Sequence, residues 1–481
     1  MAADTSKHDF LNRAQELADI IKEHLSACSS FMVISHHDAD GLSSGAIIGS
    51  TLARAEAKFT VRIVEELRED IISEIAKNQS DVLVFSDIGS GYLDQLTNHH
   101  LAKQILIMDH HPPSGTIPKN VIQLNPHEFG IDGARMISAS GVCYLVSRQL
   151  TSTNRDLSAL AIVGALGDMQ DKNEKRSLQG LNDLLVEDGI SVGSVRVDSD
   201  LVLYGRETRP IHRALAYTTT PYLPNLSGRE DNCLTLLSSN GISVKEGEKF
   251  RTLADLSQEE KQKLLNAIIG YLTSIGFQSN IVLDLVGTVY TLREEAPGSP
   301  THDGREYSAL LNACGRTGNS SVGVAVGMGD RERALQEANE IVANYRKTLA
   351  NYMEWLTNTP TAVQKFSSIW VIRGENQIQP SMTGAFSSVI SAGNLFPDHA
   401  IVVVTRAEEG GLKLSARAPP KLLGMGVNLG AALNATSKKY SGFGGGHDVA
   451  AGAHVRVEDP NPFLKELDQA IISQMKTHAG S

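Results

Sequence analysis

Up to His111 the apolar positions switch repeatedly between two spacings. Phe10, Ala14, Leu17, Ile21 and Leu25 recur at helical intervals between Asp9 and Cys28, and "FMVIS", Phe31 to Ser35, follows as a continuous β-prone run. A short unbroken apolar run is the pattern of a strand buried on both faces. The alternation continues with a helix from about Leu42 to Ala57, "FTVRIV" from Phe59, a helix near Leu67 to Ala76 and "DVLVFSD", Asp81 to Asp87. A helical segment from Tyr92 to His100 and the strand "QILIMDHH", Gln104 to His111, complete the series. Strands alternating with helices across short loops predict an α/β fold with a doubly wound, mainly parallel sheet.

Beyond the sheet the text changes twice. Helical spacing over Ser140 to Leu150 and Leu157 to Leu166 runs into "GALGDMQD", Gly164 to Asp171, and helical or loop material continues to Pro224. Residues 225–360 read as a helical and mixed insertion, with a Ser257/Glu260 capping box opening "LSQEEKQKLLNAIIGYL" and a loop at "EEAPGSPTHDGRE". Strands return after Ser367 as "SIWVIR", "AIVVVTR" and "LKLSAR" before a Gly-rich end, so 361–481 is expected to form a second α/β domain and 1–224 the first.

Length and charge narrow the reading. A chain of 481 residues exceeds one ordinary core, and its 41% hydrophobic content is that of a globular protein. The net charge of -11 argues against a generally basic nucleic-acid coat, while leaving room for a local groove or for carboxylates neutralised by metal ions. Cys28, Cys143, Cys233 and Cys314 form no C-x-x-C pair, which fits a reduced, cytoplasmic protein. No apolar leader follows the N-terminus, and "IVLDLVGTVY" from Ile281 is interrupted by Asp284 and too short to span a bilayer, so no membrane association is expected.

Four polar clusters carry the chemistry. His36, Asp38 and Asp40 in "SHHDADGLSS" follow the first strand, Asp87 the third and Asp109-His110-His111 the fourth, while Asp168 lies in a Gly-flanked turn. Each alone reads equally as a solvated turn or a helix cap. Ligands of open parallel sheets sit outside the carboxyl ends of the strands, so one cleft can collect all of them. Mixed Asp/His sets suit manganese and similar ions, and two ions about 3.5 to 4 Å apart, bridged by one aspartate, support phosphoryl displacement.

The ordered set "HHDADG", "SDIG", "DHH" and "GALGD" resembles the four motifs of the DHH phosphoesterase superfamily. "LKLSARAPPKLLGMGVNLGAALNATSKKYSGFGGGHDVAAGAHV", Leu412 to Val455, resembles the DHH-associated domain of its nuclease branch, and the whole is similar to archaeal RecJ-like proteins of the GINS-associated type. The resemblance implies a metal-dependent exonuclease on single-stranded DNA, or RNA, with two divalent ions, Mn2+ or Mg2+. His36, Asp38 and Asp87 would hold one ion; Asp40, Asp87, His110 and Asp168 the other. His111 would steady charge on the phosphate, and Asp109 would orient the histidines. Ser415, Arg417, Gly445, Gly446 and His447 would hold a phosphate from the other wall of the cleft. Arg316, in "CGRTG", would contact the strand backbone, although a surface arginine reads equally well there. Against bacterial RecJ, His36 stands where aspartate is common, and no C-terminal oligonucleotide-binding barrel is expected after the G-G-G-H segment, which puts the bacterial mode of gripping the strand in doubt. GINS or a replicative helicase is the implied partner. A small-substrate phosphodiesterase or pyrophosphatase and a replisome scaffold are the alternatives.

Overall fold

The computed structural model describes residues 2–479 except 100–102, 174, 219–220, 222, 277–283, 394–395, 397 and 408–409. The chain divides into two compact units, Met1–Leu215 with Glu230–Val342, and Ala216–Arg229 with Ala343–Ser481. The region 225–360 is thus shared between the two.

In the first unit β1 (Ser30–His36), β2 (Lys58–Val64), β3 (Val82–Ser86), β4 (Gln104–Met108) and β5 (Val121–Leu124) form one sheet in the order β2-β1-β3-β4-β5. Every neighbouring pair is parallel. The chain leaves β1 toward β2 and returns on the other side to β3, so a topological switch point, the usual ligand site of such sheets, lies between β1 and β3. Alternation along the strands divides the core. Phe31, Val33, Val82, Val84 and Leu106 pack with the helices α1 (Ala2–Ser26), α2 (Ala39–Arg54), α5 (Ala139–Leu150) and α6 (Ser158–Gly167). Met32, Ile34, Leu83, Phe85 and Ile105 pack on the other face with α3 (Glu69–Lys77) and α4 (Leu93–Asn98). Strand β5 escapes the sequence pattern because it has four residues, one of them the buried Gln123.

Element boundaries shift where side chains satisfy backbone ends. α2 begins at Ala39, earlier than the apolar spacing suggests, because the Asp38 carboxylate accepts from the Gly41 N–H at 2.9 Å and caps the helix. The Asp-rich bend is therefore a helix start. The expected strands ending at Asp87 and His111 stop at Ser86 and Met108, leaving their polar residues free to turn into a cleft. His100, the expected last residue of α4, and the first residues of the apolar run from Ile281 lie outside the described residues.

Residues of the insertion region complete this unit. Strand β6 (Val195–Leu201) pairs antiparallel with β9 (Val286–Leu292), and a short hairpin of β7 (Lys245–Glu246) and β8 (Lys249–Phe250) lies between them in sequence. Ser257 and Glu260 form the expected capping box on the helix Gln258–Ser274. The helix Gly304–Arg316 comes back to the start of α2, where Asn312 Oδ1 accepts from the Ala39 N–H at 3.1 Å. A β-carbon on Gly315 would lie 1.6 Å from the His37 carbonyl oxygen, so only glycine permits this approach.

The second unit is a six-stranded mixed sheet, β10 (Val363–Lys365), β11 (Ile369–Arg373), β12 (Ala400–Arg406), β13 (Leu412–Arg417), β14 (Phe443–Gly446) and β15 (Ala450–Val455), in the order β10-β11-β12-β13-β15-β14. Leu412, Leu414, Ala416, Ala451, Ala453 and Val455 face a core closed by Leu429, Leu433, Phe463 and Leu467. The helix Thr383–Ala392 packs on the opposite side, with Phe386 and Ile390 against Ile401 and Val403. Among the described residues no helix is long and apolar enough to cross a membrane.

Two glycines in helices should respond oppositely to alanine. Gly315→Ala should destabilise the protein by about 2 kcal/mol or more, since the added methyl displaces the His37 carbonyl. Gly270→Ala, at an exposed position of the helix Gln258–Ser274 with nothing near a new methyl, should stabilise it by about 0.5 to 1 kcal/mol. Urea unfolding of the two variants checks both signs.

Candidate metal centre

Strand ends and helix ends bring eight of the expected residues together. His36 ends β1, Asp38 caps α2 and Asp40 lies in its first turn. Asp87 follows β3 with φ +57, a left-handed conformation that costs a non-glycine residue energy and turns its carboxylate off the strand line. Asp109, His110 and His111 follow β4, and Asp168 caps the end of α6.

Asp87 is the hub. It is 2% exposed, and neither carboxylate oxygen accepts a hydrogen bond among the described residues. Its Oδ2 lies 3.5 Å from His36 Nδ1, and its Oδ1 lies 3.4 Å from His110 Nε2 and 3.8 Å from His111 Nδ1. Three groups have ligand atoms close enough to share an ion: His36, Asp38 and Asp87; Asp40, His110 and Asp168; and Asp87, His110 and His111. Burying a carboxylate without donors is costly, and a divalent cation is what such a set of oxygen and imidazole donors fits.

The surrounding groups hold the donors in place. His110 Nδ1 is 2.8 Å from the Gly133 carbonyl oxygen, which orients the imidazole and leaves Nε2 toward Asp40 and Asp87. Asp40 accepts from the backbone N–H groups of Ala139 at 2.7 Å and Ser140 at 3.0 Å, at the start of α5. A β-carbon on Gly164 would meet Ser140 Oγ at 2.1 Å and Asp40 Oδ1 at 2.6 Å, so that glycine of "GALGD" makes room for both. Gln170 donates to Asp168 at 3.1 Å and to the Gly133 carbonyl at 2.9 Å, and accepts from Asn182 at 2.7 Å. Asp109 accepts from the backbone N–H groups of Ser90, His110 and His111, and its Oδ1 lies 2.9 Å from His111 Nδ1. That bond leaves His111 Nε2 as its outward nitrogen.

Electrostatics follow the crowding. Burial opposes protonation of His36, but Asp38 and Asp87 outweigh it and hold its pKa well above the ordinary value; Asp168, Asp87 and Asp40 do the same for His110. Asp109 likewise overcomes burial at His111, whose pKa rises to about 9. Burial and the Asp87 charge push Asp40 up to about 7, and burial with the Asp87 charge raises Asp168 against the pull of His110. Asp38 and Asp109, each beside histidine, sit well below the carboxylate range in spite of burial. His37 is pulled to about 4 by burial and by His36, with a further contribution from Arg316. Arg316 ends the helix Gly304–Arg316, directly after the Gly315 that closes on the His37 carbonyl.

The remaining expected residues belong to the second unit. Ser415 is buried, with its hydroxyl 3.0 Å from that of Thr383. Arg417 donates to the Ser388 hydroxyl at 3.0 Å and to the Gly384 carbonyl at 3.1 Å. Gly445 and Gly446 pair with Gly452 and Ala451 on the edge strand β14, and the exposed His447 follows with its backbone N–H on the Ala450 carbonyl. Sequence reasoning missed Ser90, Gly133, Gln170 and Asn312. Gln170 alone carried a signal, two places after Asp168.

Family models match three stretches of the chain: the DHH family N-terminal domain at 30–166, a DHH-CID domain at 203–286 and a DHHA1 domain at 378–473. An uncharacterized protein of Methanocaldococcus jannaschii is 34% identical over 97% of this chain and 99% of its own length. A single-stranded-DNA-specific exonuclease RecJ of Bacillus subtilis is 22% identical over 35% of this chain and 23% of that protein. The chain belongs to the DHH family. Its fold is similar to that of RecJ from Thermus thermophilus crystallised with Mn2+, with a TM-score of 0.57 and 16% identity over 96% of this chain. The chain spans about half of that protein, 55% of its length. It is similar also to CDC45 from Entamoeba histolytica, with a TM-score of 0.65 and 13% identity over 96% of this chain and 99% of that one.

Without metal, the raised groups set the pH response. A histidine or carboxyl whose folded pKa lies above its unfolded value contributes stability at low pH that is lost as pH rises through the folded value. His36, His110, His111, Asp40 and Asp168 all shift this way, so in chelator the melting temperature should fall from pH 6 to pH 9. With Mn2+ the fall should be abolished, because bound metal needs the deprotonated ligands. Scanning calorimetry with and without chelator reads both. Gln170→Ala, which removes a donor from Asp168 and one of the two groups on the Gly133 carbonyl, should weaken Mn2+ binding about tenfold by calorimetric titration.

Proposed function

We propose that this chain is a manganese- or magnesium-dependent exonuclease that hydrolyses phosphodiester bonds of single-stranded DNA, and of RNA, from an end of the strand. The observation that carries the reading is the buried Asp87 carboxylate, which accepts no hydrogen bond among the described residues and stands between His36 and His110. His36, Asp38 and Asp87 would hold one ion, and Asp40, Asp87, His110 and Asp168 the second, with Asp87 shared. The bound ions would supply a hydroxide at neutral pH and a counter-charge for the scissile phosphate. The chain's own groups do the rest. His110 is aimed by the Gly133 carbonyl, Asp109 holds His111, and His111 donates from Nε2 to a phosphate oxygen as negative charge grows there. Ser415, Arg417, Gly445, Gly446 and His447 in residues 361–481 bind a phosphate of the strand, with Arg316 as a backbone contact from the first unit.

The name of the Bacillus subtilis relative and the Mn2+ of the Thermus thermophilus structure support this choice over a small substrate. The fold likeness to CDC45 supports a structural role alongside catalysis, with GINS or a replicative helicase as partner. Such a partner would dock on the part of 225–360 outside the helix Gly304–Arg316, since that helix braces α2.

Single strands labelled separately at the 5' and 3' ends should be degraded to mononucleotides with Mn2+ or Mg2+ and spared in chelator, and Asp87→Ala should lose at least about a thousandfold in rate while keeping its circular dichroism. Intact strands with every metal, together with turnover of a dinucleotide or pyrophosphate, would replace this reading with the small-substrate one.

A further inference from the structure

Strand alternation in the second unit gives its sheet a face away from the core, covered at β12 and β13 by the helix Thr383–Ala392 and leaving Phe443 of the edge strand β14 exposed. Leu412, Leu414 and Ala416 point into the core, so Lys413, Ser415 and Arg417 of β13 point the other way. The ladder sets Lys413 beside His454 and His454 beside Phe443, and in the next row Ser415 beside Gly452 and Gly452 beside Gly445. One row is therefore basic and aromatic, and the other has a glycine floor.

Three observations give this face the form of a nucleotide step. A β-carbon on Gly445 would meet nothing within 4 Å, so the floor is open, whereas one on Gly444 would strike Ser437 and Leu433 on the core side. Phe443 is 52% exposed, and its ring stacks on His454 with centroids 5.4 Å apart and planes 29° from parallel. The two rows are separated by two residues of strand, about 7 Å, a span that a nucleotide bridges between its phosphate and its base. Single exposed apolar residues are ordinary on protein surfaces. An aromatic ring backed by a second ring, one step from an open floor beside Ser415 and Arg417, is a stacking platform.

We propose that Phe443, held by His454, stacks a nucleobase of the single strand whose phosphate occupies the Ser415, Gly445 and Gly452 row. The inference rests on the single-strand reading above and adds a base contact to it. A π-face accepts any base, so the platform tells nucleotides from bare sugar-phosphate and favours no sequence. Lys413, in the same row, faces the adjoining backbone and adds the salt-dependent attraction expected beside a phosphate.

The test is steady-state hydrolysis of an end-labelled single strand with Mn2+, using natural strands and strands with an abasic site at successive positions from the end. In the wild type one abasic position should raise KM about tenfold. Phe443→Ala should raise KM on the natural strand by the same factor and have no further effect on that abasic strand, while Phe443→Trp should keep the wild-type value. Equal KM for wild type and Phe443→Ala on the natural strand, or an equal rise on natural and abasic strands, would overturn the platform and leave the exonuclease reading in place. No hydrolysis of any strand by the wild type would overturn the exonuclease reading and the platform with it.

Discussion

The carboxylate of Asp87 is buried, and among the described residues neither of its oxygens accepts a well-formed hydrogen bond. It sits just past β3 at the switch point of a parallel sheet, buried, in a left-handed conformation, with imidazoles rather than backbone donors for neighbours. A fold tolerates such a group only if surrounding structure fixes it and something else supplies the missing charge. Much of the first unit can be read as meeting the first condition: Ser90 and Asp109 secure the β4 exit, α5 presents its N–H groups to Asp40, and the glycines of α6 let the three helices close.

The two units divide labour by backbone type. In the first, side chains converge from strand ends, and the donors are carboxylates and imidazoles. The second offers a sheet face, where glycines expose the main chain and the side chains stand in rows fixed by register. The first arrangement concentrates charge at a point, as bond hydrolysis needs. The second sets its side chains along a line.

Much of this was legible in the sequence. Continuous apolar runs followed by Asp or His marked the strands of the parallel sheet and their carboxyl ends, because burial on both faces leaves no polar positions within such a strand. The capping box at Ser257 was equally direct. What could not be read depended on contacts between distant segments. Gln170 and Gly133 act through single hydrogen bonds to His110 and Asp168. Strand β5 is too short to show a period, and its register with β4 is set by neighbours. The start of α2 was misplaced because Asp38 in "HDADG" serves as a cap, a role that composition alone does not distinguish from a turn.

The brace on α2 has a consequence for how the protein is made. The Ala39 N–H finds its partner in Asn312, 273 residues later, and Gly315 closes over His37 in the same stretch. Sheet strands β1 to β5 can pair long before that point in synthesis, yet the loop bearing His36 and Asp38 gains its last support only once the helix Gly304–Arg316 has left the ribosome. A growing chain thus carries His36 and Asp38 without this brace until residues 304–316 have been made.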